Sequence, residues 1–221
     1  MPAAWLRCVA ESADDCAAYL LATGDEMTTT KERPILFSGE MVRAILDGRK
    51  TQTRRVIKPH PSSGVRWSPV VFAGHGGWTD GHGAPLRCRY GGPDDLLWVR
   101  ETWQDLRPHQ ERVVYAATLG DVVTKWRPSI HMPRWASRIT LRVVDVRVER
   151  LQGISHKDAQ AEGIYPNAAG YLNAASPFDG CLKHDYVTAF RSIWNSINAA
   201  RGYDWETNPW VWVVEFEKVT P

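Results

Sequence analysis

Gly48-Arg49-Lys50-Thr51-Gln52-Thr53-Arg54-Arg55 packs four cations, two hydroxyls and an amide into eight residues. It comes directly after a short amphipathic run and its terminating glycine. From Gly48 through Thr79 there is no Asp or Glu, so the positive field of Arg49, Lys50, Arg54, Arg55, Lys58 and Arg66 is not cancelled locally. A solvated turn has no need of that charge density together with two threonines. A site that holds an anion and also moves protons does. The competing reading is a basic strand edge whose charges guard against edge-to-edge pairing.

The flanking sequence predicts how this segment is held. Ser38 caps a helix in which Met41, Val42, Ile45 and Leu46 form the apolar stripe, ending at Gly48. Thr51 to Ile57 then reads as a strand. Leu96 to Trp103, Val113 to Ala117, Ile139 to Leu151 and Val211 to Val219 read as further strands. The apolar phase changes between Val143 and Val144, which predicts a β-bulge. A helix starts at Ser155, where Asp158 completes a capping box. Val187, Phe190, Ile193, Trp194 and Ile197 recur at helical spacing before Gly202. Short strands around two or three helices predict an α+β barrel. Residues 59–92 are rich in Gly, Pro and His and read as a long loop or insertion. Residues 104–135 and 165–185 read as further insertions. Residues 1–26 share no pattern with the remainder of the chain and read as a poorly ordered appendage to a single domain, 27–221.

A chain of 221 residues that is 43% hydrophobic and 24% charged fits one globular domain. The net charge of +2 does not by itself imply a nucleic-acid partner, but the charge is unevenly spread. A second acid-free run, Val122 to Val144, holds Lys125, Arg127, Arg134, Arg138 and Arg142. Of eleven tryptophans, Trp98, Trp194 and Trp212 sit in apolar periodic runs and are read as core. Trp126 and Trp135 lie among arginines, where stacking on bases and cation–π packing are equally open. The four cysteines form no C-x-x-C pair, and the simplest inference is a reducing cytoplasm. No apolar run approaches the roughly 20 residues of a membrane span. His75, His82 and Cys88 match no ligand spacing and lack a fourth ligand, so no metal is expected. There is no P-loop or dinucleotide fingerprint, and no cofactor is expected.

Several motifs stand in a fixed order: Gly48-Arg49-Lys50-Thr51-Gln52-Thr53-Arg54, then Asp95-Leu96-Leu97-Trp98-Val99-Arg100-Glu101, then Ile154-Ser155-His156-Lys157-Asp158-Ala159-Gln160-Ala161-Glu162-Gly163, then Val211-Trp212-Val213-Val214-Glu215-Phe216. Together they resemble the ASCH family, small barrels related to the PUA RNA-binding domain, over most of Arg33 to Val219. The length resembles the bacteriophage and prophage forms. Where most relatives carry Gly-Asp before the Leu-x-Val strand, this chain has Pro93-Asp94-Asp95.

Small members of that family include an amidohydrolase that deacetylates 4-acetylcytidine. The resemblance implies Lys50, Thr53 and Glu162 as its catalytic positions. The chemistry is coherent: a threonine hydroxyl needs a base, and a desolvated lysine beside other cations can be one. A glutamate can protonate the departing amine. On a regular strand residues three apart face opposite sides, so Lys50 must sit in the turn before the strand proper. Without the resemblance, Glu162 reads as an exposed helical carboxylate. Arg49, Arg54, Arg55, Arg100, Glu101, Trp126, Arg127, Arg134, Trp135 and Arg138 are the candidate substrate or nucleic-acid contacts. Arg100 and Glu101 either aim into the barrel mouth or face water. Three functions stand as expectations: a hydrolase of an acylated or otherwise modified pyrimidine nucleoside, a non-catalytic RNA- or DNA-binding module reading a modified base, and a ribonuclease. The partner is a modified nucleoside or a single strand of RNA or DNA.

Overall fold

A computed structural model of the chain describes residues 30–61, 64–72, 75–106, 113–120, 125–165 and 185–219. The expectations for residues 1–26 and for most of the 165–185 insertion fall outside the described residues. All the elements named below belong to the unit that starts at Lys31.

The fold is mixed α+β. Five strands form the main sheet: β1 (Glu32–Leu36), β2 (Gln52–Val56), β5 (Leu96–Arg100), β8 (Thr140–Arg150) and β9 (Trp210–Lys218). Their order is β1-β5-β8-β9-β2, with β1 parallel to β5 and the other pairs antiparallel. Among the described residues no backbone ladder joins the edges β1 and β2 into a closed barrel. Those edges meet instead through a side chain, because Arg55 on β2 donates from Nη2 to the Leu36 carbonyl at 2.7 Å. Helix α1 (Gly39–Leu46) links β1 to β2 and so brings the two edges to the same end of the sheet.

Local chemistry explains the elements around the site. Ser38 Oγ accepts from the Met41 amide at the start of α1. Gly48 leaves the helix at φ +74, a conformation that costs glycine little. Register slips between Val143 and Asp145 on β8, and Val144 is left exposed at the bulge. Helix α3 (His156–Ala161) begins with the Ser155–Asp158 capping box. Helix α4 (Tyr186–Asn198) starts on Asp185, whose carboxylate accepts from the Val187 and Thr188 amides. Asp94 takes φ +68, the left-handed region, so it does glycine's backbone work in the turn before β5. The core follows the pattern of the strands: Ile35, Leu97, Leu141, Val143, Trp212, Val214 and Phe216 pack with α1 on one side. Val211 and Val213 pack with Phe190 and Trp194 of α4 on the other.

Two expectations are corrected. Residues 59–92 are not one loop, because β3 (Val65–Phe72) and β4 (His75–Asp80) pair as a hairpin within them. Glycines and prolines masked the alternation there, but Trp67 and Trp78 stand opposite each other and pack edge-on at 5.3 Å. The run from Leu96 to Trp103 is two strands. β5 ends at Arg100, and β6 (Trp103–Asp105) pairs instead with β7 (Val113–Tyr115), which continues into the single helical turn α2 (Ala116–Leu119). Glu101 is drawn inward to Arg138 at that break.

His60, between the β2 end and the hairpin, accepts the Trp210 amide at Nε2 over 3.0 Å. Burial holds its pKa below the ordinary value of 6.5, with Arg150 opposing its charge as well. The unfolded chain therefore binds the proton first, and stability is lost as pH falls through 6.5 toward the folded value. Urea melts between pH 7.5 and 5 should show this loss, and His60→Gln should flatten it.

Candidate active site

The centre of the site is a buried charge cluster in which α3 lies against the edge strand β2. Lys50 precedes β2 and forms an isolated antiparallel bridge with Glu162, the C-cap of α3. The turn geometry that the sequence required is therefore present. Lys50 Nζ donates to Glu162 Oε2 at 2.8 Å and to the Glu162 carbonyl at 2.8 Å. The lysine side chain is wholly enclosed and that of Glu162 is 6% exposed. Burial drives the Lys50 pKa down, the Glu162 carboxylate pulls it back up, and Arg55 and Arg54 add to the depression.

Arg54, also wholly enclosed, places Nη1 3.4 Å from Glu162 Oε1 and Nη2 3.5 Å from Asp158 Oδ2. Those carboxylates lie one helical turn apart on α3, so a single guanidinium grips the helix along its length. The same Nη2 donates to Glu149 on β8 at 2.9 Å. Arg147 extends the network to Glu149, Asp158 and Glu215. The burial of these ions is compensated by one another, which is the condition under which charges are tolerated inside a protein.

Above this cluster opens a cavity of about 200 Å³, lined on one side by Thr53, Arg54, Arg55 and Glu162. Since β2 is an edge strand, side chains from both of its faces border the same space. The opposite wall is Phe190, Ile193, Trp194 and Ile197 of α4. A second, more apolar cavity shares Glu162 and is bounded by α1, Gly163 and Ile164. Thr53 and Glu162 thus face one cavity, while Lys50 lies beneath it and reaches it through Glu162.

The other anticipated residues divide. Arg55 is at the cavity, with its guanidinium carbon 5.2 Å from the Phe37 ring centre and 5.9 Å from that of Tyr90. Arg49 is not: it pairs with Asp47 and lies 3.7 Å over the Tyr165 ring. Arg100 stacks on Trp98 at 4.7 Å. Glu101, 1% exposed, accepts two bonds from Arg138, so the charge points neither into the cavity nor to water. Arg134 is engaged by Glu32 through two bonds. Arg127 lies over Trp103, against which Trp135 packs edge-on. None of Arg127, Arg134, Trp135 and Arg138 lines the cavity, nor does Trp126. Cation–π packing and ion pairing account for most of that basic run.

Arg89, Tyr90, Arg201 and Tyr203 line the cavity and were not anticipated, and Lys58 of the basic run lines it with them. Arg89 and Tyr90 lie in the stretch read as loop, and Arg201 and Tyr203 flank the glycine that ends the α4 region. Cys88 beside them is pushed up to about 11 by burial, so it is held as a thiol. Among the described residues there is no group of three His, Cys, Asp or Glu side chains arranged for a metal. No helix among them is long and apolar enough to cross a membrane.

No family model matches the chain, and no curated protein matches it. Among solved structures it is similar to the ASCH domain from Lactobacillus crispatus JV V101, at 11% identity and a TM-score of 0.38. That alignment covers 92% of this chain and 90% of the other.

Gly163 is where backbone and site depend on each other most closely. It has φ +93, and an added Cβ would stand 3.1 Å from Ala44 Cβ and 3.2 Å from Lys50 Cβ. Gly48, at φ +74, has nothing within 4 Å of an added Cβ. Gly48→Ala should cost only the backbone strain of about 1–3 kcal/mol. Gly163→Ala should cost measurably more in urea unfolding, because the crowding on Lys50 adds to the strain.

Proposed function

We propose that the protein is an amide hydrolase acting on an acylated pyrimidine nucleoside, of the kind its motif resemblance to ASCH proteins implies. The observation that carries this reading is the enclosed Lys50–Glu162 pair directly below a cavity that Thr53 and Glu162 line. An ion pair of lysine and glutamate differs from a neutral amine and carboxylic acid by one proton moved along the hydrogen bond. Burial disfavours the charged arrangement, as the depressed Lys50 pKa reflects. Taking up the threonine proton leaves the pair as ammonium and carboxylic acid, one positive charge more than before, and the oxyanion of the adduct balances that charge until the proton is passed on.

The reaction runs in two stages. Thr53 Oγ1 attacks the acyl carbonyl while its proton passes to the Lys50–Glu162 pair, forming the O–C bond. The tetrahedral adduct breaks its C–N bond as the pair delivers that proton to the leaving amine. Water then attacks the threonyl ester, releases the acid and restores the hydroxyl. Arg54 keeps Glu162 in place through the second carboxylate oxygen. Lys50 and Glu162 supply the proton traffic, Thr53 is the nucleophile, and the α4 wall with Tyr90 and Tyr203 receives the base.

The test is a panel of N-acylated and unmodified cytidines incubated with the protein and resolved by chromatography. Wild type should release free cytidine. Thr53→Val, which keeps the volume, should retain the fold and lose at least about a hundredfold in rate. Lys50→Ala should lose activity comparably, with its melting temperature recorded alongside. If wild type binds these nucleosides without cleaving them, or Thr53→Val cleaves normally, the cavity serves recognition and a binding module is the better reading.

A further inference from the structure

The proposed function uses Lys50, Thr53, Glu162 and Arg54, and leaves one feature of the cavity without a role. Arg55, Lys58, Arg89 and Arg201 all border it, and Glu162 is the sole carboxylate among its described lining residues. That carboxylate is already occupied by Lys50 and Arg54. Among the described residues Lys58, Arg89 and Arg201 make no ion pair within 4.0 Å, unlike Arg54, Arg138 and Arg147. Arg55 spends Nη2 on the Leu36 carbonyl, while its buried Nε has no partner. Arg89 and Arg201 repel Arg55 across the cavity, and among the described lining residues only the Glu162 carboxylate, already engaged by Lys50 and Arg54, opposes that repulsion. A nucleoside is neutral and would not offset it.

We infer that this rim holds a phosphate, so that the ligand is a nucleotide rather than a free nucleoside. The four side chains come from three separate parts of the chain: β2 and its extension, the segment after the hairpin, and the turn after α4. A phosphate brings about −1.5 to −2 charges at neutral pH and three acceptor oxygens, which suits several converging donors. Tyr90 and Tyr203 stand beside these cations, with Lys58 Nζ 5.4 Å from the Tyr203 ring centre and the Arg89 guanidinium 5.6 Å from that of Tyr90. Aromatic faces set among phosphate-binding cations are the arrangement that accommodates a base and its backbone together. The phosphate can belong to a mononucleotide or to a residue of a single strand. The charge logic is the same for both.

This inference rests on the reading that the cavity takes a nucleoside, and it is tested by binding, separately from hydrolysis. The ligands are cytidine, cytidine 5′-monophosphate, inorganic phosphate and a short oligocytidylate, titrated calorimetrically at low and moderate salt. The monophosphate should bind at least about tenfold more tightly than cytidine, the increment of one good charge-assisted contact. Arg89→Gln combined with Arg201→Gln should abolish that difference and leave cytidine binding unchanged. Both side chains are exposed and carry no ion pair among the described residues, so the fold should be retained. Either nucleotide arm supports the inference: tighter binding of the oligonucleotide assigns the phosphate to a strand, and equal or weaker binding assigns it to a monomer. Equal affinity for cytidine and its monophosphate overturns it. So does inorganic phosphate binding as tightly as the monophosphate, since the rim would then be a bare anion site. Cleavage of acylated cytidine with no phosphate preference would leave the hydrolase reading standing. Phosphate-dependent binding without cleavage would do the reverse.

Discussion

The Lys50 ammonium on the Glu162 carboxylate is the contact on which the rest of the site depends. It joins the turn after α1 to the end of α3, residues 112 apart in the chain, with the lysine enclosed from solvent. A lysine enclosed in this way is tolerated only if a partner meets it with good geometry, and Glu162 meets it with both side chain and backbone. The close approach of Gly163 to Ala44 and Lys50 is the steric counterpart of that contact. A bulkier residue there would hold α3 away from β2 and open the pair to solvent.

Two charge environments adjoin the cavity and are managed differently. Below, Lys50, Arg54 and Arg147 are matched by Glu149, Asp158, Glu162 and Glu215 in a network that ties β2, β8, β9 and α3 together. Such a network is rigid because moving any member exposes another to an unpaired, partly buried state. At the rim, Arg55, Lys58, Arg89 and Arg201 have no such matching among the described residues. The balanced layer suits proton transfer between fixed groups. The unbalanced layer suits an incoming anion. In the proposed reading a nucleotide would lie with its phosphate among these rim cations and its base against α4.

Much of this was legible in the sequence wherever a local rule decided the outcome. Ser38, Gly48, the Ser155–Asp158 box and the phase change at Val143 each act over a few residues, and each lies where its chemistry required. The pairing of Lys50 with Glu162 was legible only through the motif order, because no local rule distinguishes Glu162 from an exposed helical glutamate. The basic run from Lys125 to Arg142 misled for the complementary reason. Sequence displays its cations but not their partners, and Glu32, Glu101 and Glu217 reach them from β1, from the break after β5 and from β9. The rim residues were missed because Arg89 and Arg201 come together only through the fold. The β3–β4 hairpin was missed because glycines and prolines obscured its alternation.

The most direct measurement is a double-mutant cycle on the buried pair, using Lys50→Met, Glu162→Gln and the combined variant in urea unfolding. If the pair organises the site, each single change leaves a buried group without its partner. The two effects should then be strongly non-additive, with a coupling of about 1–3 kcal/mol. Additivity within about 0.5 kcal/mol would mean that the two groups do not depend on each other, and the central claim would be wrong.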